Sequence, residues 1–313
     1  MPSLRSASLA LVFGPLVACG GDRGDPNYDT SVAKPACASE HPKVAFDEGH
    51  REKHTSRGTY HPLAELLKND GYDIDSIDNL ITEKRLASYR VLVIACAQGD
   101  SEMNDAPAFT PAECAAVEHW VGAGGGLLLV TDTFPFGSAA ESLGKAFAIE
   151  MSLGQTADAI QFDREGKDDT ELDFDRQNHL LTVHPITEGR SPEERVERVL
   201  TFTGQSVRGP RGSVPFLRHG ASATSRDARA RVEGTKSDKK VVVQYGEEKS
   251  VEGWGQGVAI LHGQGRVVVL GDAEVLSAQL DGPKKIGMNA RGNDDRKLAL
   301  NILHWLSGLL PGA

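Results

Sequence analysis

From residue 43 onward, continuous apolar runs alternate with segments whose apolar residues recur at helical spacing. The runs at 44–46, 90–96 (RVLVIAC) and 127–130 (LLLV) are typical of strands buried on both faces of a parallel sheet. Further strands are predicted over 72–77, 195–202, 241–245, 257–261 and 266–270. The last two are joined by HGQG, which indicates a tight hairpin.

Helices are predicted over 60–69, 80–87, 138–147 and 295–306, where apolar residues return every three or four positions. Leu66 and Leu67 share one face of the first helix, and Gly71 occupies the place of a glycine that ends a helix. A further helix begins at TPAE, with Thr110 as N-cap and Glu113 completing a capping box.

Strands and helices that alternate at this pitch form βαβ units with right-handed crossovers. The predicted fold class is therefore α/β, with a doubly wound, mostly parallel sheet, helices on both faces, and a C-terminal β-hairpin plus helix. We count one domain over 40–313. Two segments interrupt it: the charged stretch 158–177, and the stretch 204–240, which has few large apolar residues and is expected to be irregular and partly disordered.

The N-terminus has the pattern of a secretory signal peptide over 1–18, with an apolar core that ends in LVACG. Small residues before a cysteine resemble the lipobox of bacterial lipoproteins, in which Cys19 is lipidated. Gly20 in the next position favours the outer membrane, with the protein facing the periplasm. The segment 19–39 is then a flexible tether. The alternative is an ordinary signal peptide with an incidental cysteine.

Composition limits the class of partner. The chain has 313 residues and a net charge of -10, with 39% hydrophobic residues, so that nucleic acid is excluded as a partner because phosphate binding needs a basic surface. No apolar run reaches the roughly 18 residues that span a bilayer, so the membrane is contacted through the anchor at Cys19. Cys37, Cys96 and Cys114 allow one disulfide or none, and their pairing cannot be deduced.

Polar side chains follow the predicted strands and should converge at one edge of the sheet, where doubly wound folds bind ligands. The candidate ligand-binding residues are Asp47, Glu48, His50, Thr131, Asp132, Gly271 and Asp272. Cys96 and Gln98 end another strand, and Asn293 and Asp294, before the last helix, are expected to join the group.

Three kinds of catalysis fit these residues. Cys96 could act as a nucleophile with His50 or His184, although a small buried cysteine is the better interpretation. Asp132 and Asp272 could act as paired carboxylates of a hydrolase. Asp47, His50, Asp132 and Asp272 could hold a divalent metal, but no metal motif is present and the prediction is no metal and no cofactor. Each residue also has a structural role available, as a cap or turn former.

Four stretches together resemble a known group of proteins: FDEGH at 46–50, FTPAECAAVEHWVGAGGGLLLVTD at 109–132, HPITEG at 184–189, and GRVVVLGDAEVLS followed by NDDRKLALNILHWL. Their order resembles that of DUF4350 proteins and of the GldG/GIFT-type domains of gliding-motility transporter accessory proteins and intraflagellar transport proteins.

The resemblance implies a class I glutamine amidotransferase-like fold without the catalytic cysteine, because Thr131 and Asp132 occupy the expected nucleophile position. It also implies a non-catalytic module that binds a glycan or a protein. We therefore predict an envelope lipoprotein whose partner is an envelope glycan or protein. The alternative is a hydrolase that uses the strand-end Asp and His residues.

Overall fold

The computed structural model of the chain describes residues 23–99, 106–233 and 240–312. The predicted signal peptide over 1–18 and the predicted lipidation site Cys19 lie outside these ranges. None of the helices within the ranges is long and apolar enough to cross a membrane.

The described helices are α1 (His61–Asn69), α2 (Glu83–Leu86), α3 (Pro111–Gly122), α4 (Phe136–Ala146), α5 (Pro185–Glu188) and α6 (Asp295–Ser307), with a 3-10 turn at Glu274–Leu276. The described strands are β1 (Arg23–Gly24), β2 (Lys43–Asp47), β3 (Asp73–Ile77), β4 (Val91–Ala95), β5 (Gly126–Val130), β6 (Glu150–Met151), β7 (Gly154–Asp158), β8 (Asp173–Asp175), β9 (Arg198–Leu200), β10 (Val207–Arg208), β11 (Val214–Arg218), β12 (Ala223–Glu233), β13 (Lys240–Ser250), β14 (Gly255–His262), β15 (Gly265–Leu270), β16 (Ala278–Asp281) and β17 (Lys284–Gly287).

The central sheet has the strand order β3-β2-β4-β5-β15-β14-β10-β6, and β11 also pairs with β14. The first five strands are parallel to one another, and β14, β10, β6 and β11 pair in antiparallel fashion. Taken in chain order, the parallel strands follow the doubly wound order 2-1-3-4-5. The predicted fold class is confirmed, as is the hairpin between β14 and β15.

Helices cover both faces of this sheet, as predicted. Alternate residues of β5 show why, because Leu128 and Val130 join the core beneath α1 and α6, whereas Leu127 and Leu129 join the core beneath α2, α3 and α4. A strand whose side chains are buried on both faces needs a continuous apolar run. The runs at β4 and β5 meet this requirement, and each of their residues is buried.

Local signals fix the ends of the helices. Thr110 accepts a hydrogen bond from the backbone N–H of Glu113, and the Glu113 carboxylate accepts one from the backbone N–H of Thr110, so the predicted capping box is present. Gly71 follows α1 with a φ of +100°, which favours glycine.

The structure corrects the prediction of an irregular segment over 204–240. This stretch contains β10, β11 and β12, and β12 pairs with β7 on one side and with β13 on the other. Alternating small and polar residues in β12 (ATSRDARARVE) form the strand without the large apolar residues that signal burial. The charged stretch 158–177 is mostly loop, as predicted, and it also contains β8, which pairs with β9.

The predicted tether is also corrected in its described part, because residues 23–39 pack against the domain. β1 pairs with β16, and the backbone N–H of Cys37 donates to the carbonyl of Asp70. Asn69 at the end of α1 donates to the carbonyl and the hydroxyl of Thr30. The segment thus adds to the α1 side of the core.

Candidate functional site

The loop after β2, residues 48–60, covers the point where a doubly wound sheet opens its ligand-binding crevice. That point lies between β2 and β4, because the chain continues from β2 to β3 on one side and returns to β4 on the other. Lys53 and His54 of the loop donate backbone hydrogen bonds to the carbonyls of Cys96 and Ala95, at the end of β4. The loop therefore fills the crevice with its own side chains.

His50 is the centre of a buried group that we call the His50 cluster: Asp47, His50, Glu52 and Glu113. Its Nδ1 lies 2.8 Å from Oδ2 of Asp47, and its Nε2 lies 3.0 Å from Oε1 of Glu113. Oε1 of Glu52 lies 3.9 Å from the same Nδ1. The imidazole is thus enclosed by three carboxyl groups.

The charges and the burial in this cluster raise the pKa values of His50 and Glu52. Burial opposes the charged imidazole, but the hydrogen bond that it donates to Asp47 and the charges of the surrounding carboxylates outweigh burial and raise the pKa of His50 to about 9. Burial, followed by the charge of Asp47, raises the pKa of Glu52 to about 8. Both shifts favour the protonated side chains.

A second group, the Asp132 pair, consists of Asp132 and Glu274 beyond the ends of β5 and β15. Burial, and then the neighbouring Glu274, raise the pKa of Asp132 well above its usual range. Burial would raise the pKa of Glu274 as well, but its hydrogen bond with Asp132 and the charge of Lys53 lower it. The Lys53 ammonium lies 3.5 Å from Glu274. The two carboxyl groups thus share one proton beside a lysine.

The other strand-end candidates hold the fold together. Asp272 accepts backbone hydrogen bonds from Phe202 and Val275, each at 2.7 Å. The Thr131 hydroxyl donates to the carbonyl of Leu270 and accepts from Gln205. These contacts occupy both side chains.

Gly271 is required for close packing. A Cβ added there would lie 2.0 Å from the carbonyl oxygen of Gln205, far inside contact distance. The residue therefore lets two backbones approach, and its position at a strand end is explained without a ligand.

The residues expected to converge do not all do so. Glu48 accepts from the backbone and the hydroxyl of Ser56, and so stabilises the loop. The Gln98 backbone donates to the carbonyl of His50. Asn293 and Asp294 form contacts at the start of α6, where the carboxylate of Asp294 accepts from the backbone of Glu197.

The nucleophile hypothesis for Cys96 finds no support in this geometry. The thiol is fully buried, and burial raises its pKa well above the usual range, which suppresses the thiolate. Both ring nitrogens of His50 face carboxylates, and His184 caps α5 by accepting from Ile186. Cys37, Cys96 and Cys114, the cysteines within the described ranges, are buried free thiols.

The four residues that were considered as metal ligands do not form one group. Asp47 and His50 contact each other in one cluster, whereas Asp132 faces Glu274 and Asp272 is held by backbone donors. Glu52, Glu113 and Glu274 were not predicted as site residues. Of these three, only Glu113 belongs to a recognisable sequence motif, the capping box. Glu52 and Glu274 each follow a candidate residue by two positions.

An open cleft lies beyond the amino-terminal edge of the parallel strands. We call it the Trp120 cleft; it has a volume of about 400 Å³ and is lined by Glu83, Tyr89, Arg90, His119, Trp120 and neighbouring residues. The Trp120 ring is fixed against Gly125, where an added Cβ would lie 2.4 Å from a ring atom. Nδ1 of His119 lies 3.0 Å from Oε1 of Glu83, and both side chains are exposed.

Comparisons with known proteins support the fold. No family model matches the chain, and no curated protein sequence matches it. Among solved structures, the chain is similar to "mmIFT52 N-terminal domain", with a TM-score of 0.58, 13% identity, and coverage of 85% of this chain and 97% of that one. At this identity the likeness shows the fold alone.

Two bacterial structures are more distant. A ThuA-like protein from Parabacteroides merdae gives a TM-score of 0.43 at 13% identity, over 87% of this chain and 92% of that one. A ThuA-like protein from Bacteroides uniformis gives 0.39 at 12% identity, over 90% and 95%. Together with the strand order, the likeness to the mmIFT52 N-terminal domain confirms the expected α/β fold with a mostly parallel central sheet.

Proposed function

We propose that this chain is a non-catalytic, glycan-binding module of the bacterial cell envelope, built on an amidotransferase-like fold. The resemblance to GIFT-type domains implied a glycan- or protein-binding role, and the described surface favours the glycan. The proposal has two parts. The strand-end residues do not catalyse a reaction, and the Trp120 cleft binds the glycan.

The observation that carries the proposal is the way in which the strand-end groups are occupied. Asp47, Asp132 and Asp272 are between 1% and 5% exposed. Each accepts hydrogen bonds from its own fold, and the loop over 48–60 closes the crevice between β2 and β4. Thr131 and Asp132 stand where the fold's nucleophile would be expected. Little of these three carboxylates is therefore left for a substrate to contact.

The Trp120 cleft has the chemistry of a saccharide site. Its two aromatic rings, Tyr89 and Trp120, offer apolar faces, and Arg90, His119 and Glu83 offer polar groups that bind hydroxyls. A sugar presents both kinds of surface. The volume of the Trp120 cleft, about 400 Å³, lies within the usual range for small-ligand sites.

We further propose that the protein is anchored to the membrane by lipidated Cys19, with the domain facing the periplasm. Lipidation at one cysteine holds a protein on a bilayer without a spanning helix. Cys19→Ser should move the protein from the membrane fraction to the soluble periplasmic fraction. If the variant stays with the membrane, the anchor lies elsewhere.

The Asp132 pair favours a second candidate function, which is acid–base hydrolysis. Two carboxyl groups with pKa values pushed apart are typical of an acid and a base in one centre. Glu274 has 15% of its side chain exposed, so this pair is the strand-end group that a substrate would reach first.

A turnover assay separates the two functions. Purified protein is incubated with peptidoglycan fragments and with model glycosides, amides and esters, and products are followed by mass spectrometry. The non-catalytic proposal predicts no product above that of Asp132→Asn and Glu274→Gln. Turnover by the wild type that both variants lose would establish the hydrolase instead.

A further inference from the structure

The His50 cluster contains a set of ligand atoms suited to a divalent cation. Asp47 ends β2, His50 and Glu52 belong to the loop that follows it, and ligand atoms of these three residues lie within 4.8 Å of one another. In a tetrahedral zinc site with bonds of about 2.0–2.2 Å, ligand atoms lie about 3.3 Å apart. The separations of 2.8 Å and 3.9 Å from His50 Nδ1 lie on either side of that value.

Glu52 supplies the observation that points to a ligand. Its side chain is fully buried, and Oε1 receives no hydrogen bond from an N–H or hydroxyl group of the described residues; its polar neighbour is the carboxyl group of Asp47. A buried carboxylate oxygen without a donor is costly unless a proton or a cation binds it. This oxygen faces the Asp47 and His50 ligand atoms.

The surroundings of these three residues match the second layer of contacts that metal ligands need. His50 uses its other nitrogen, Nε2, to contact the Glu113 carboxylate at 3.0 Å, which fixes the ring with Nδ1 turned toward Asp47 and Glu52. Such a carboxylate–histidine pair behind a metal is common. Glu113 is itself held by the backbone of Ile81 at 3.0 Å.

The two carboxylates are held in the same way. Oδ1 of Asp47 accepts from the backbone of Gly49 at 3.2 Å, and Oε2 of Glu52 accepts from the backbone of His50 at 3.0 Å. Each carboxylate thus turns one oxygen to the backbone and the other to the shared centre. An imidazole with two carboxylates suits zinc and similar transition metals better than calcium or magnesium, which prefer oxygen ligands alone.

We propose that Asp47, His50 and Glu52 bind one divalent transition-metal ion of the zinc type, which fastens the loop over 48–60 to β2. The inference is independent of the glycan-binding proposal, because it concerns a different region and a structural role. The cation takes the place that protons otherwise hold between the three side chains.

The test uses the full chain without an affinity tag, in detergent, after treatment with EDTA. Zinc chloride is titrated in by calorimetry, and bound metal is counted by mass spectrometry. The wild type should bind one zinc ion per chain. Glu52→Gln should weaken binding by at least about 100-fold, and Glu113→Gln by about 10- to 100-fold, since it removes only the contact behind His50.

Glu48→Gln is the matched control, because it removes a carboxylate from the same loop that contacts Ser56 instead of the cluster. Its affinity should stay within about threefold of the wild type. Cobalt in place of zinc should give the visible absorption of a tetrahedral site in the wild type and not in Glu52→Gln. Circular dichroism shows whether each variant is folded.

Three outcomes would overturn the inference. A folded wild type that takes up no zinc or cobalt means that the cluster holds protons alone. Zinc binding that Glu52→Gln leaves unchanged means that the ion lies elsewhere. Calcium bound more tightly than zinc would also contradict it, because an imidazole ligand disfavours calcium.

Discussion

His50 and Glu113 are joined by a hydrogen bond of 3.0 Å between Nε2 and Oε1, which links the loop after β2 to the first turn of α3. The same carboxylate completes the capping box of α3 and accepts from the backbone of Ile81. One side chain thus connects a helix start, a buried imidazole and the approach to α2.

Glu113→Ala should therefore destabilise the protein strongly. It removes the Glu113 half of the capping box, for which a loss of about 1 kcal/mol is typical, and it leaves two buried donors without a partner, at about 1–3 kcal/mol each. We expect the free energy of unfolding to fall by about 3 kcal/mol, measured by urea denaturation. Glu118→Ala on the same helix removes only contacts with His262 and His119 near the surface and should cost less than about 1 kcal/mol. Equal losses for the two variants would refute this role.

Gly271→Ala should be among the most damaging small substitutions. The added methyl would lie 2.0 Å from the carbonyl of Gln205, so that two backbone segments must separate. We expect a loss on the order of 3–5 kcal/mol in unfolding free energy. Gly122→Ala in α3, where the nearest atom is 4.0 Å away, should be neutral or stabilising by up to about 1 kcal/mol. A thermal melt that ranks the two in the opposite order would contradict the packing argument.

Acid should destabilise the fold through three buried histidines. Burial lowers the pKa of His54, of His184 and of His219 to about 4, from a usual value of 6.5. The unfolded chain then binds protons before the folded one does, so stability is complete above pH 6.5 and falls as the pH drops toward 4. The loss is on the order of 2–3 kcal/mol for each histidine.

Urea denaturation between pH 7 and pH 4 measures this loss directly. His219→Gln should reduce the slope of unfolding free energy against pH, and His61→Gln, at an exposed position, should not. The same slope in the wild type and in His219→Gln would show that other groups cause the acid sensitivity.

The thiol of Cys96 should be inert in the folded protein. The thiol is 1% exposed and burial raises its pKa, so that at neutral pH no thiolate is present to attack iodoacetamide. Mass spectrometry should find Cys37 and Cys96 unmodified in buffer and fully modified in urea. Rapid labelling of Cys96 in buffer would restore it as a candidate nucleophile.

Most strands of the parallel core could be predicted from the sequence, but few of the contacts in the candidate site could. Continuous apolar runs such as β4 and β5 are unambiguous, since the only place for them is a sheet covered on both faces. The strand β12 was not predicted because it is held by backbone pairing with β7 and β13, and the alternation of Arg and Ala along it does not reveal that pairing. Pairing between strands that are distant in the sequence cannot be inferred from a local pattern.

In the site, too, contacts between residues close in the sequence could be predicted, and contacts between distant elements could not. Asp47 and His50 were predicted to lie together, and they do, because they belong to one strand end. Glu113 and Glu274 reach their partners from other elements, so their roles follow from the packing of α3 and of the 3-10 turn after β15. The pairing of Asp132 with Asp272 was one possibility from the sequence, and in the structure backbone donors occupy Asp272 whereas Asp132 bonds to Glu274.

The most direct test of the proposed function compares binding at the two regions of the molecule. Soluble peptidoglycan fragments are titrated into the wild type, Trp120→Ala and Asp132→Asn, with Trp254→Ala as control because Trp254 lies beneath Arg208, outside the cleft. We predict that the wild type, Asp132→Asn and Trp254→Ala bind alike, and that Trp120→Ala, shown to be folded by circular dichroism, loses at least tenfold in affinity, or about 1.4 kcal/mol. Binding lost in Asp132→Asn and kept in Trp120→Ala would place the ligand at the strand ends and contradict the account.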